Sequence, residues 1–261
     1  MTKIKKILLP TDLSWQSRMM VDCLEDLLLL GVEEALVVYV LQPRSKLDGE
    51  EMAQLSQMAE SLEASGISAH YQVIAGTRPG KDILDFAREN SFDAIALASS
   101  GKGRATGLLL GSTSRSLMRH SPVPVLVKRF RREEESAAEA CTVTFSNVLV
   151  VVDGDSHESQ YADRVDSLID RESMGQVNLF DVANGATWPW KEGYSLREVL
   201  SHRGSGGERT HGSLMRAVNS LEATAVILPR KGKGSTSWLL DRQRTEASIH
   251  GSRASMLVVP K

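Results

Sequence analysis

A chain of 261 residues is long enough for one large domain or two of about 130 residues each. Its 41% hydrophobic and 25% charged residues are ordinary for a globular protein, and a net charge of −2 gives no electrostatic case for nucleic-acid binding. The longest apolar stretches, such as LLLLGV at 27–32, fall far short of a membrane span, and the charged start MTKIKK does not read as a secretory signal. The expectation is a cytoplasmic protein with no membrane insertion.

The predicted elements alternate strand and helix. The start runs directly into a strand over Ile4–Leu9, followed by a helix over Ser17–Leu30 and a strand over Ala35–Leu41. An amphipathic helix follows over Gly49–Ser65, then a strand over Ser68–Ile74 and a helix over Pro79–Asn90. The apolar run Ala94–Ala98 reads as a buried parallel strand, Ser112–His120 as a helix and Val123–Lys128 as a fifth strand. Such alternation argues for right-handed crossovers and a parallel sheet with helices on both faces. Residues 131–143 begin charged and turn alanine-rich, which reads as a solvated linker between a domain at 1–130 and another at 144–261. Cys23 falls in a predicted helix and Cys141 in the linker; two thiols make no disulfide framework, so they read as a packing residue and a bystander in a reducing compartment.

The second domain repeats the first. KILLPTDLS at 6–14 matches NVLVVVDGDS at 147–156, each an apolar run ending in an aspartate, Asp12 or Asp153. At the same offset LVVYVL (36–41) falls on VNLFDV (177–182), and after a deletion residues 76–98 align without gaps on 207–229. Between these blocks the second copy carries residues 184–207, with a short helix near Leu196 and no convincing strand. Its Trp188-Pro189-Trp190 cluster reads either as a docking knob or as packing over a shortened sheet.

The segment SGKGRATGLLLGS at 100–112 reads as a phosphate cradle, with a glycine-free-of-Cβ loop running into the N-terminus of a helix. It is neither a Walker A loop, since no Gly-Lys pair is followed by Ser or Thr, nor a good dinucleotide fingerprint. Ala98, Gly101, Gly111 and Ser112 have the spacing G-x2-G-x9-G-[ST], with alanine in place of the first glycine. Together with Pro10-Thr11-Asp12 and the closing HSPVPVLV at 120–127, this resembles the universal stress protein family.

The resemblance implies two flavodoxin-like (adenine nucleotide alpha hydrolase-like) parallel-sheet sandwich domains in tandem. It implies an ATP site in the first, formed by Pro10, Thr11, Asp12, Val40, Ala98, Gly101, Gly111, Ser112, Thr113 and Ser114. Asp12 would meet the adenosine end, Val40 would offer backbone groups to adenine, and Ser112 and Ser114 would bond phosphate oxygens. Lys102 and Arg104 are local cations suited to a triphosphate, with solvated loop charge as the alternative; for Asp12 the alternative is an N-cap. The resemblance also implies a homodimer, or an intramolecular pseudo-dimer, through the Val123–Lys128 and Met256–Val259 strands. In the second copy Arg242 stands at the position of Gly111, Gln243 at Ser112 and Asp181 at Val40, so one competent site is expected. Arg230, Lys231, Lys233, Arg242 and Arg244 form an alternative basic pocket there for another anion.

No catalytic constellation accompanies the cradle. The six histidines do not pair at HxxxH or HExxH spacing, and neither a GxSxG elbow nor an HxGH motif is present, so no metal or catalytic residue is assigned. The reading is a nucleotide-binding regulatory module of a stress response that takes ATP with or without magnesium. A slow ATPase and a nucleotide-free interaction protein docking on a partner such as a transporter are the alternatives.

Overall fold

The computed structural model describes residues 4–23, 25–100, 111–130, 141, 144–152, 158–168, 174–182, 187–190, 195–196, 211–230 and 254–260. These fall into two compact units, residues 4–141 and 144–260.

The first unit runs β1 (Lys6–Thr11), α1 (Trp15–Asp22), α2 (Glu25–Leu29), β2 (Glu34–Leu41), α3 (Gly49–Ala64), β3 (Ser68–Ala75), α4 (Pro79–Glu89), β4 (Ala94–Ser100), α5 (Ser112–His120) and β5 (Val125–Phe130). Its five strands are all parallel in the order β3-β2-β1-β4-β5. This is a doubly wound α/β sandwich of flavodoxin-like type in its adenine nucleotide alpha hydrolase-like arrangement. β1 is buried along Ile7, Leu8 and Leu9, each at most 2% exposed, because a central parallel strand is covered on both faces. β3 ends the sheet and alternates buried with exposed residues along its first half.

Local chemistry sets the helix ends. α3 begins with a capping box in which Asp48 accepts from the Glu51 N–H and the Glu51 carboxylate accepts from the Asp48 N–H. α4 opens on Pro79, whose missing N–H costs nothing at a first helical position. α4 and α5 pack against each other at Gly80, where an added Cβ would lie 2.7 Å from the Ser116 Cβ. The single helix expected over Ser17–Leu30 is two: α1 stops at Asp22 with Cys23 as its C-cap, and α2 starts at Glu25. Cys23 and Cys141 are joined by a disulfide with Cα atoms 5.0 Å apart, so the reading of two unpaired thiols is corrected. Close by in the chain, Asp26 of α2 pairs with Lys128 of β5, both side chains at most 3% exposed.

The second unit runs β6 (Asn147–Val152), α6 (Glu158–Leu168), β7 (Gln176–Asp181), β8 (Thr187–Pro189), α7 (His211–Ser220), β9 (Ala225–Arg230) and β10 (Ser255–Pro260). The order within it is β10-β9-β6-β7-β8. The central register repeats: Ile7 opposite Ala94 recurs as Val148 opposite Ala225. Where no convincing strand was expected, β8 pairs antiparallel with β7, with Trp188 opposite Leu179. Trp190 is 3% exposed and its N–H donates to the Val177 carbonyl, so this tryptophan packs over the sheet rather than standing out from it.

One register differs between the copies. Thr11 lies opposite Tyr39, but Val152, its counterpart at the shared offset, lies opposite Asp181. In the first unit the N–H groups of Glu33 and Glu34 both donate to the Lys5 carbonyl. In the second, Gly175 and Gln176 donate to two successive carbonyls, Phe145 and Ser146. β7 is thereby advanced by one residue, so Asp181 occupies the level of Tyr39 and Val182 that of Val40. This corrects the gap-free alignment of Asp181 with Val40.

Two stability outcomes follow from packing. Lys128→Met leaves the buried Asp26 carboxylate without its ammonium and is expected to cost about 3–5 kcal/mol in urea unfolding, most of it recovered in Asp26→Leu/Lys128→Met. Gly80→Ala forces α5 away from α4 and is expected to cost about 1–3 kcal/mol in the same measurement, while Gly49→Ala, at a position with open space, costs far less.

Candidate functional site

The chain leaves β1 through a tight turn at the carboxyl edge of the first unit's sheet. Leu13 takes a left-handed φ of 59°, unusual for a branched residue and a local strain of about 1–2 kcal/mol. Its N–H donates to the Thr11 Oγ1 at 3.0 Å. Asp12 Oδ1 accepts from the Ser14 N–H at 3.1 Å and from the Ser17 hydroxyl at 2.7 Å. Partial burial pushes the Asp12 carboxyl up, but the hydrogen bonds from Ser14 and Ser17 outweigh it and hold the group below the usual carboxylate range. The N-cap of α1 is Ser14, whose side chain accepts from the Ser17 N–H. Asp12 therefore organises the turn and stays exposed and ionised, instead of capping the helix itself.

Around this carboxylate the topology gathers the other expected positions. Pro10 and Thr11 are the last residues of β1; Thr11 is 9% exposed, and its hydroxyl donates to the Met58 sulfur at 3.7 Å. Val40, half-buried, is the penultimate residue of β2. Beside it Gly76 leaves no room for a Cβ, because the Asp82 carboxylate and the Val40 side chain close on it, and Asp82 accepts from the Arg78 N–H at 2.7 Å. Ala98, half-buried, lies opposite Lys128 near the end of β4.

α5 begins at the same edge. Gly111 is its N-cap, makes no side-chain cap bond, and has no described residue within 4 Å of where a Cβ would stand. The first turn of α5 holds no acidic residue and presents N–H groups that the helix itself leaves without an acceptor, at the positive end of its dipole. Ser112 is exposed and Thr113 half-buried, while Ser114 is 6% exposed on the face that carries Leu117 and Met118. The structure thus brings Pro10, Thr11, Asp12, Val40, Ala98, Gly111, Ser112, Thr113 and Ser114 to one sheet edge, as parallel-sheet topology requires. Gly101, Lys102 and Arg104 lie outside the described residues.

In the second unit Asp153, Lys231, Lys233, Arg242, Gln243 and Arg244 lie outside the described residues as well. Of the basic group only Arg230 is described, at the end of β9; burial pushes its guanidinium down, and the nearby Arg164 adds to this. Among the described residues no group of His, Cys, Asp or Glu is arranged to hold a metal, and no helix is long and apolar enough to cross a membrane.

Sequence reasoning missed three parts of this arrangement: the Ser17 hydroxyl on Asp12, the left-handed Leu13, and the Gly76–Asp82 wall beside Val40. A serine two residues after Asp12 is a turn signal, and Gly76 before Pro79 marks a tight approach to a helix. It also missed a cleft of about 330 Å³ between α1 and α3, lined by Trp15, Arg18, Asp22 and Gln54 among others.

The depressed Asp12 ionisation has a sign that can be checked. A carboxyl lowered on folding contributes stability at neutral pH that is lost as pH falls below the unfolded value of about 3.9. Because Asp12 is exposed the contribution is small, about 1 kcal/mol or less. Asp12→Asn is expected to unfold at lower urea than the parent at pH 7, with the gap closing between about pH 4 and 3.

The profile of the Universal stress protein family matches residues 3–129. A universal stress protein of Methanocaldococcus jannaschii is 28% identical over 80 residues, 31% of this chain and 46% of that relative, so the match spans about half of its length. A second from the same organism is 24% identical over 152 residues, 47% of this chain and 93% of the relative. The crystal structure of a universal stress protein from Archaeoglobus fulgidus superposes with a TM-score of 0.69 at 23% identity, covering 99% of this chain and 97% of that one, which shows a common fold across both units. Residues 3–129 thus form a domain of the universal stress protein family.

Proposed function

We propose that the first unit binds an adenine nucleotide, ATP foremost, at the carboxyl edge of its sheet, and that occupancy is the signal of a cytoplasmic regulatory module. The observation that carries this reading is the N-terminus of α5: a helix start at Gly111 with no side-chain cap, and no described residue where a Cβ would stand, at the end of the glycine signature. A phosphate fits such a cradle, because free N–H groups and the helix dipole both favour an anion.

The residues fit the rest of a nucleotide in their chemistry. The ionised Asp12 accepts hydrogen bonds from ribose hydroxyls, and its own donors Ser14 and Ser17 fix its rotamer. Val40 offers main-chain groups at the end of β2 to the adenine edge. Ser112 and Thr113 supply hydroxyls beside the phosphates, with Ser114 behind them on the buried side of the helix. Lys102 and Arg104 bring positive charge within the signature, and magnesium accompanies ATP through the phosphates themselves. Pairing of copies through Val123–Lys128 and Met256–Val259 belongs to the same proposal, since β5 and β10 are each the last strand of their own unit's sheet.

Calorimetric titration with Mg-ATP tests the reading. The parent chain is expected to bind one nucleotide. Gly111→Arg, which copies the residue at the aligned position of the second unit, is expected to lose binding by at least about 100-fold, close to 3 kcal/mol. Its melting temperature should stay within about 2 °C of the parent, because no described residue lies where the new side chain begins. Ala98→Gly, which completes the signature, is expected to tighten binding by about 3- to 10-fold. Absence of binding in the parent chain would overturn the proposal in favour of a nucleotide-free interaction protein.

A further inference from the structure

We propose that Cys23 and Cys141 form a reversible thiol–disulfide switch that sets how firmly α1 is held in the first unit. α1 has only eight residues, too few for a helix to persist on its own. It has no acidic residue in its first turn and no basic residue in its last, so no terminal charge complements its dipole. The buried Gln16 side-chain oxygen finds no hydrogen-bond partner among the described residues, a further cost to this helix. Its hold comes from packing and from two clamps at its ends. At the start, the Trp15 ring meets Phe130 edge-on at 6.4 Å; at the end, the C-cap Cys23 is bonded to Cys141. Phe130 ends β5 and Cys141 lies in the chain that leaves it, so one stretch of chain grips both ends of α1.

The two sulfurs differ in access. Cys23 is 3% exposed, whereas Cys141 is only half-buried and is the one open to attack. A thiolate of a dithiol reductant attacks the Cys141 Sγ, the Cys23–Cys141 bond breaks, and Cys23 leaves as a thiolate that takes up a proton. The second thiol of the reductant resolves the mixed disulfide and frees Cys141, so two electrons pass to the protein and the reductant ends as a disulfide. Glutathione disulfide reverses the exchange. α2 supplies an internal reference, because its hold through Asp26 and Lys128 does not depend on the sulfurs. α1 also carries Ser17, and its N-cap is Ser14; both hold Asp12, so the switch reaches the nucleotide site insofar as the proposed binding there is correct.

The full chain is treated with glutathione disulfide or with dithiothreitol, then followed by alkylation and mass spectrometry, by hydrogen exchange and by Mg-ATP titration. The oxidised form should take up no alkylating agent and the reduced form two equivalents. Amides of Trp15–Asp22 should exchange at least tenfold faster after reduction, those of Glu25–Leu29 should not change, and reoxidation should restore the slow state. Cys23→Ser/Cys141→Ser should stay in the fast state under both treatments. Alkylation of both cysteines after glutathione disulfide, or equal α1 exchange in the two states, would overturn the switch. Weaker nucleotide binding after reduction extends the switch to the site, and equal affinities confine it to α1. No binding in either state tells against the nucleotide reading alone, since exchange still decides the switch.

Discussion

The central position of β1 is the constraint on which the first unit depends. Hydrogen-bonded to β2 on one side and β4 on the other, it is shielded from water over Ile7, Leu8 and Leu9, and those residues are apolar. Beyond them the connections from its two neighbours run to different helical layers: α1 with α3, and α4 with α5. The carboxyl end of such a sheet is where polar groups denied to the strand can collect. The strained Leu13 and the hydrogen-bonded Asp12 lie at this boundary, where a chain direction must change within three residues.

The same constraint explains why the architecture was legible from sequence. Buried parallel strands write themselves as apolar runs, and β1, β2, β4 and β5 fall within two residues of their expected bounds. The ends of those strands fix which residues meet, so Asp12 and the loop after β4 could be placed at one sheet edge from the pattern, while Val40 and Ser114 were named through the family resemblance. Orientation was not legible. The family resemblance placed Thr11 and Ser114 at the edge but did not reveal that both are enclosed, one against Met58 and the other beside Leu117.

Three further features escaped for physical reasons. The apolar pattern runs through residues 21–30 without a breaker, so nothing in it marks the interruption at Cys23. The disulfide joins residues 118 apart, a distance over which cysteine spacing carries no pairing information. In the chain-entropy picture a loop of that length is worth about 5 kcal/mol of stabilisation, so the omission concerns a major constraint on the first unit. The shifted β6–β7 register arises from the choice between one shared and two successive carbonyl acceptors, and an alignment without gaps has no means of expressing it.

Gly111 carries a consequence for how such proteins diverge. Among the described residues nothing packs where a Gly111 side chain would stand, so under the proposed nucleotide reading the position answers to the ligand rather than to the core. When a gene encoding such a unit is duplicated, drift at that position is invisible to folding, and a copy can lose its ligand while keeping its sheet. The arginine at the aligned position 242 is the kind of change this freedom permits. In tandem proteins built this way, architecture and occupancy are therefore inherited separately, and the number of folded repeats sets an upper limit on the number of working sites.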